Sequence, residues 1–230
     1  FVFASVEGGK KPDRICFEAT GAGLALQQAD LGLGEVGITF AFAPVFHPAM
    51  RFAGPPRREI GVPTTFNILG PLDNPARPYA MAVGCADARL APIMAGVLAE
   101  RGVTGLVCRG DDGLDELTTT TTSRVWFVRD GTVDEKTLDA ADLGIARSQP
   151  EDLRGGDPAA NADTARRVLA GDPGPVLDVV LLNAAAAVAA TDRLPGSLVD
   201  ALTPALARCR DAVQDGRAEA LISRWAAAAA

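Results

Sequence analysis

Hydrophobic and polar positions show their clearest pattern in the middle of the chain, where it reads as strand, helix, strand. Residues 79–84 and 103–109 are apolar runs of strand length, and residues 87–101 between them have the composition of a helix. Asp87 is a candidate N-cap for this helix and Gly102 a candidate stop. Such a β-α-β unit forms parallel strands, with ligands gathering at their carboxyl edge. The pattern predicts an α/β fold with a central, largely parallel sheet flanked by helices.

Further along the chain the pattern changes to a hairpin and then to helices. Asp130-Gly131 separates two strand-like stretches, which is a strong hairpin signal. Asp157 followed by Pro158 is typical of a helix start. The predicted elements are strands at 123–128 and 132–138 and helices near 159–170, 178–190 and 197–225, the last broken near Gly216. Asn183, inside the second of these helices, is predicted to be a buried packing amide.

The first third of the chain is less regular. Residues 35–79 are dense in proline and glycine, which predicts little room for long helices or strands. Their aromatic and aliphatic content argues against disorder, and a long irregular stretch in a compact domain is usually functional. A strand, a turn and a short helix fit residues 1–35, which differ in character from the rest of the chain. The expected division is an atypical leader over residues 1–35 and an α/β domain over residues 36–230.

Composition and charge narrow the range of partners. The 230 residues include 22 Lys plus Arg against 29 Asp plus Glu, and the net charge of −7 opposes nucleic-acid binding, which depends on neutralising phosphates. No stretch approaches the ~18 continuous apolar residues of a membrane span. The four cysteines are scattered without a CxxC pair, and the single histidine, His47, excludes sites built from two or three imidazoles. We expect a cytoplasmic protein that binds neither nucleic acid nor membrane.

The acidic segment GDDGLDEL at residues 110–117 is the strongest local candidate for chemistry. It comes directly after the predicted strand 103–109, so its carboxylates should lie at the carboxyl edge of the sheet. Mg²⁺ takes hard oxygen ligands and is usually shared between one or two carboxylates and substrate phosphates. Asp115 and Glu116 are adjacent, so only a turn or loop could direct both at one ion. A magnesium site and a solvated acidic turn are equal alternatives on local sequence alone.

Two further candidates lie in the proline-rich stretch. Arg57, in Arg57-Arg58-Glu59, could grip a carboxylate or phosphate through two parallel hydrogen bonds. His47 lies among apolar residues and prolines, where a neutral imidazole can donate to a substrate or to a backbone carbonyl. Taken alone, a solvated or ion-paired arginine and a structural histidine are the simpler interpretations.

Five segments form an ordered set along the chain. They are FAFAPVFHPAM (residues 40–50), RREIG (57–61), TTFNILGPLDNP (64–75), GDDGLDEL (110–117) and LNA (182–184). In order and register this set resembles the anthranilate phosphoribosyltransferase family over roughly residues 35–225. The resemblance implies a nucleoside phosphorylase/phosphoribosyltransferase-like α/β domain. It also implies transfer of a phosphoribosyl group from phosphoribosyl pyrophosphate (PRPP) to anthranilate in tryptophan biosynthesis, with Mg²⁺ as cofactor.

The resemblance also assigns roles to particular residues. Asp115 and Glu116 match the family's Mg²⁺-binding acidic pair, and Arg57 matches the arginine that holds the anthranilate carboxylate. His47 and Pro71 fall in segments that line the channel of the aromatic substrate. No residue is assigned as a general acid or base, because the amine of anthranilate is neutral at pH 7 and attacks without prior deprotonation.

The sequence departs from the family at its amino end. The family's small helical domain, its glycine-rich GTGGD loop and its KHGN segment are not found in these residues. We therefore expect an incomplete α/β domain, and the homodimer that the family forms through its helical domain is an open question for this chain. The alternatives are a non-catalytic binding or scaffold fragment of the same fold and a related nucleoside phosphorylase. The segments of Arg57 and His47 favour anthranilate over the latter.

Overall fold

The computed structural model describes residues 2–5, 15–18, 38–40, 50–62, 64, 66–74 and 78–228. The strands are β1 (Val2–Ser5), β2 (Ile15–Glu18), β3 (Ile38–Phe40), β4 (Ala80–Gly84), β5 (Thr104–Gly110), β6 (Thr122–Arg129) and β7 (Thr132–Asp139). The helices are α1 (Met50–Ile60), α2 (Phe66–Leu72), α3 (Ala91–Glu100), α4 (Pro158–Leu169), α5 (Pro175–Thr191), α6 (Leu198–Gln214) and α7 (Arg217–Ala228). Short 3₁₀ turns lie at Ala140–Leu143 and Pro150–Leu153. The described strands form one sheet in the order β3-β2-β1-β4-β5-β6-β7.

The predicted β-α-β unit is confirmed as β4, α3 and β5. β4 and β5 pair in parallel, with Gly84 opposite Cys108, so both strands end at the same edge of the sheet. Helix α3 begins at Ala91, directly after Leu90, and so later than the predicted start at Asp87. Asp87 caps the turn that leads into the helix: its carboxylate accepts from the Arg89 amide (2.9 Å) and its carbonyl accepts from the Ala91 amide (3.1 Å). Gly102 does lie just beyond the helix, with the positive φ (+69°) that favours glycine there.

The α/β class is confirmed, but the sheet is mixed rather than largely parallel. Of the six described strand pairings, β2–β3 and β4–β5 are parallel and the other four are antiparallel. Parallel neighbours need a crossover connection, usually a helix, whereas β5 to β6 and β6 to β7 are joined without one. Asp130 and Gly131 form the predicted hairpin turn, both with positive φ (51° and 73°).

The sheet is covered on both faces, because successive residues of a strand point to opposite sides. Ala80 and Ala82 of β4 pack in a cluster with α5 and α6, whereas Met81 and Val83 pack in a second cluster with α3. Helix α5 lies between the sheet and α6 and is apolar over most of its length. Its position brings the polar Asn183 towards the carboxyl edge of β4 and β5.

The later helices agree with the predicted pattern. The Asp157 side chain accepts a hydrogen bond from the Ala160 amide (2.9 Å), and Pro158 begins α4, as predicted. Gly216, with φ of +77°, separates α6 from α7 at the predicted break. None of the helices in the described ranges is long and apolar enough to cross a membrane.

The expectation of little regular structure over residues 35–79 is wrong. Helix α1 spans 11 residues although it contains Pro55 and Pro56, and α2 contains Pro71. A proline inside a helix removes one backbone hydrogen bond and its ring crowds the carbonyl four residues earlier, which weakens or kinks a helix without always ending it. Pro55 and Pro56 therefore cost α1 stability but do not prevent it from forming. Strands β1 and β2, within the predicted leader of residues 1–35, belong to the same sheet; the division at residue 35 stays a prediction.

Candidate functional site

The carboxyl edge of β4 and β5 is covered by residues 111–121, the acidic loop. This loop leaves β5 after Gly110 and returns to the sheet at the start of β6. Its backbone crosses the end of β4 so closely that a Cβ built on Gly84 would lie 1.5 Å from the carbonyl oxygen of Asp115. Only glycine allows this approach, so Gly84 sets the height of the loop above the strand.

Asp112 organises the first half of the acidic loop. Its Oδ2 accepts hydrogen bonds from the hydroxyls of Thr118 (2.6 Å) and Thr120 (2.5 Å), and its Oδ1 accepts one from the Leu114 amide (3.1 Å). Partial burial opposes ionisation, but these hydrogen bonds to the carboxylate outweigh it and lower the pKa of Asp112. Asp112 is therefore an anion engaged in holding the loop together.

The second half of the acidic loop is attached to its surroundings at two points. Leu117 is fully buried, and its amide and carbonyl both bond to the Asn183 side chain, at 2.9 Å and 2.8 Å. Thr119 is also buried; its carbonyl accepts from the Ser148 amide (3.0 Å), and the two hydroxyls lie 2.9 Å apart. Asn183 is thus more than the packing amide that was predicted. Residues 113–116 therefore lie between two fixed points, Asp112 on one side and Leu117, held by Asn183, on the other.

Residues 113–116 include the predicted acidic pair. Asp115 is exposed and Glu116 is partly buried, and together with Asn183 and Gly84 they line a cavity of about 20 Å³, room for roughly one water. Burial raises the pKa of Glu116, and the negative charges of Asp115 and Asp112 raise it further. The structure therefore places the two carboxylates in one fixed loop at the predicted edge of the sheet.

The donors of the acidic pair fit a magnesium ion that is shared with a phosphate. Within the described ranges there is no group of three or more His, Cys, Asp or Glu side chains able to hold a metal ion. One or two carboxylates, with water and phosphate oxygens completing the shell, is the usual protein environment of Mg²⁺. Asp115 and Glu116 are the side chains that could hold such an ion here.

Arg57 lies at a second cavity, of about 470 Å³, beside α1. Its Nη2 donates to Asn67 Oδ1 (3.1 Å), which also accepts from the Thr64 amide (3.0 Å). Asn67 thereby orients the guanidinium at the cavity wall. The cavity is lined by Gly54, Arg57, Arg58, Gly61, Val62 and Asn67. A wall with two arginines and an apolar side chain suits a small aromatic carboxylate.

The other two predicted site residues are Pro71 and His47, of which the structure describes only Pro71. The Arg57 cavity and the acidic-pair cavity share no lining residue within the described part of the chain. Pro71 is partly buried in α2 and is not among the described residues that line the Arg57 cavity. His47 lies outside the described residues. The channel roles of His47 and Pro71 stay predictions.

Comparison with known protein families shows which family the chain belongs to. Residues 17–219 match the family described as "Glycosyl transferase family, a/b domain". The chain belongs to this glycosyl transferase family.

Several similar proteins carry a more specific name. The chain is 57% identical to an anthranilate phosphoribosyltransferase of Nocardioides sp. over 93% of the chain and 63% of that protein. It is 59% identical to the one of Thermobifida fusca over 83% of the chain and 55% of that protein. The resemblance drawn from the motifs is thereby confirmed, and the chain spans only 55 to 63% of the length of these two relatives.

Solved structures share the fold of this glycosyl transferase domain. Anthranilate phosphoribosyltransferase from Thermus thermophilus superposes with a TM-score of 0.77 at 38% identity, over 86% of the chain and 57% of that structure. The Saccharomyces cerevisiae enzyme described in complex with PRPP and Mg has a TM-score of 0.75 at 23% identity, over 84% and 55%. The second comparison establishes the common fold alone.

Sequence reasoning missed three residues that shape the site of this glycosyl transferase domain. Gly84 ends a strand, Asp112 precedes a run of hydroxyl side chains, and Asn183 is the single polar residue between Val179 and Ala190. A lone amide in an apolar helix is a recognisable signal, because a buried polar group needs a hydrogen-bond partner. The partner itself, Leu117, lies 66 residues away and could not be read from the pattern.

We expect Asp112→Asn to lower the free energy of unfolding of this glycosyl transferase domain at pH 7 by about 1 kcal/mol, after allowance for solvent screening of an exposed group. Because the folded-state pKa of Asp112 lies below its ordinary value of 3.8, its stabilisation is present above that pH and is lost as pH falls through the folded-state pKa. The difference between wild type and variant should therefore shrink in acid. Urea unfolding at several pH values measures it, with exposed Asp134→Asn on β7 as control.

Proposed function

We propose that this domain takes part in transferring the phosphoribosyl group of PRPP to anthranilate, giving phosphoribosyl anthranilate and pyrophosphate in tryptophan biosynthesis. The observation that carries the proposal is the acidic pair Asp115 and Glu116, fixed in one loop at the carboxyl edge of β4 and β5. Relatives 57 and 59% identical to the chain are anthranilate phosphoribosyltransferases. The proposed setting is the cytoplasm.

Asp115 and Glu116 are proposed to hold Mg²⁺ with the pyrophosphate of PRPP. When bound, the ion neutralises charge on the leaving pyrophosphate as its bond to the anomeric carbon of ribose breaks. The acidic loop is already fixed by the contacts of Asp112, Leu117 and Thr119, so little reorganisation is needed when substrate arrives. A yeast enzyme of the same fold is described in complex with PRPP and Mg, in accord with this cofactor.

Arg57 is proposed to bind the carboxylate of anthranilate. Asn67 orients its guanidinium, and Val62 offers an apolar contact for the ring in the same cavity. Held by its carboxylate, the substrate can present its neutral amine to the anomeric carbon without help from a base. His47 and Pro71 are proposed to line the path of the aromatic ring. Positioning and charge neutralisation then carry most of the rate acceleration.

The proposal is tested by following the consumption of anthranilate and the formation of phosphoribosyl anthranilate by chromatography. Turnover should require both PRPP and Mg²⁺. Parallel reactions with a nucleoside and phosphate test the nucleoside phosphorylase alternative. Calorimetric titration of the protein with PRPP in the presence of Mg²⁺ tests the scaffold alternative, which predicts no heat of binding. A chain that shows no turnover and no PRPP binding would refute the proposal.

We expect Arg57→Ala to weaken anthranilate binding by about 10- to 100-fold, since a charge-assisted arginine–carboxylate contact is worth roughly 1.5–3 kcal/mol. Arg57→Lys should recover only part of this affinity, because lysine cannot make the two parallel hydrogen bonds of a guanidinium. Calorimetry with anthranilate measures both variants. Arg166→Ala, on the exposed face of α4, is the control and should bind like wild type. Equal affinity of wild type and Arg57→Ala would remove Arg57 from the site.

A further inference from the structure

We infer that Asn183 is a positioning residue that holds the Mg²⁺-binding acidic pair from helix α5; the inference rests on the proposed function. Asn183 Oδ1 accepts the Leu117 amide hydrogen at 2.9 Å, and its Nδ2 donates to the Leu117 carbonyl at 2.8 Å. The same Nδ2 donates to the Val179 carbonyl, one turn earlier in α5, at 3.0 Å. Both ends of the amide are therefore engaged, and its orientation is set by its own helix.

The position of this contact in the loop gives it consequences for the metal site. Leu117 directly follows Glu116, so fixing both backbone groups of Leu117 fixes the peptide that carries the Glu116 carboxylate. Asn183 also lines the same small cavity as Asp115 and Glu116. Helix α5 is packed between the sheet and α6, so it is a rigid support for the loop. Residues that orient a metal ligand usually change metal affinity when they are replaced.

A second asparagine of the chain makes the same kind of contact elsewhere. Asn161 on α4 accepts the Gly156 amide hydrogen at 2.8 Å and donates to the Gly156 carbonyl at 3.0 Å. Gly156 lies in an exposed connection before α4, remote in sequence from the acidic loop. Replacing Asn161 therefore removes an equivalent backbone contact without touching the proposed site, which makes it a matched control.

The test compares Asn183→Leu, Asn183→Ala and Asn161→Ala. Leucine has the same branched shape as asparagine and suits the apolar helix α5 but cannot hydrogen-bond Leu117, so a packing role alone would survive that change. Affinity for Mn²⁺, a probe of oxygen-ligand magnesium sites, is measured by electron paramagnetic resonance. We expect both Asn183 variants to bind Mn²⁺ about 10- to 100-fold more weakly than wild type. Asn161→Ala should bind as wild type does.

Amide hydrogen exchange separates a displaced loop from a general loss of structure. In Asn183→Leu the Leu117 amide should exchange faster, whereas the amide of Val125 in β6 should keep its protection. Unchanged Mn²⁺ affinity, or equal weakening in Asn161→Ala, would overturn the positioning role. Asp115→Asn in the same series tests the proposed function: if wild type and Asp115→Asn bind Mn²⁺ alike, the metal site itself fails, and the role of Asn183 fails with it.

Discussion

Gly84→Ala is expected to lower the free energy of unfolding by about 3 kcal/mol and to weaken divalent-metal binding by about 10-fold or more. A Cβ at this position would lie 1.5 Å from the Asp115 carbonyl oxygen and 2.5 Å from its carbon. Both atoms are backbone, so no change of rotamer relieves the overlap. Either the strand end or the acidic loop must move, and the loop carries Asp115 and Glu116.

A second glycine separates the two effects of this substitution. A Cβ at Gly105, near the start of β5, would lie 2.2 Å from the Met81 carbonyl oxygen, which is again backbone. Gly105→Ala should therefore destabilise the fold while leaving the metal affinity of the folded protein as in wild type. Urea unfolding and Mn²⁺ titration of both variants measure this. Metal affinity retained in Gly84→Ala, or lost equally in Gly105→Ala, would contradict the role of Gly84.

Helix α3 offers a glycine for which the opposite sign is expected. Gly96 has no neighbouring atom within 4 Å of an added Cβ, beyond the backbone of its own helix. Alanine at this helical position should stabilise the protein slightly, by up to about 1 kcal/mol. Gly96→Ala thus shows that the loss in Gly84→Ala comes from the close approach of the loop rather than from the loss of a glycine.

Elements decided by local rules were predictable from the sequence. The hairpin at Asp130-Gly131 requires two residues of positive φ, and Asp157 before Pro158 satisfies the free amides of a helix start. The β-α-β unit is indicated by two apolar runs separated by a helix-length segment. In each case the residues that decide the structure lie within a few positions of it.

Features that depend on distant partners were not predictable in the same way. Four of the six described strand pairs are antiparallel, and this depends on which strands become neighbours in the sheet. Helix α1 forms in spite of Pro55 and Pro56. The acidic pair could be located because its segment comes directly after a predicted strand. Its fixation by Gly84 and Asn183 could not, because those residues lie in β4 and α5, far away in sequence.

Glu116→Gln is expected to make the protein more stable at pH 7 and, at the same time, poorer at binding Mg²⁺. Burial, assisted by the charges of Asp115 and Asp112, raises the pKa of Glu116 above its ordinary value of 4.5. Between pH 4.5 and this raised pKa, the folded state therefore retains a proton that the unfolded state releases. The contribution of Glu116 to stability is fully present below pH 4.5 and is lost as pH rises through the raised folded-state pKa. Glutamine is neutral throughout, so this loss of stability disappears in the variant.

When Mg²⁺ is bound, wild type rather than Glu116→Gln is expected to be the more stable protein. We expect Glu116→Gln to reduce Mg²⁺ affinity by about 100-fold, since it removes a proposed ligand rather than a residue behind one. Mg²⁺ at about 100 times its dissociation constant should stabilise wild type by about 2.7 kcal/mol and the variant far less.

Asp115→Asn is the matched variant for this experiment, because Asp115 is an exposed carboxylate in the same loop. It should lose Mg²⁺ affinity with a smaller gain in stability than Glu116→Gln, because it relieves only the repulsion between Asp115 and Glu116 and little desolvation at an exposed position. Thermal unfolding with and without Mg²⁺, repeated between pH 4 and pH 8, measures all three proteins. A Glu116→Gln protein less stable than wild type in the absence of metal would show that the partly buried carboxylate holds the loop. Burial of the Glu116 carboxylate would then not destabilise the protein. The hypothesis that other residues fix the loop while Glu116 serves only to bind the ion would have to be abandoned.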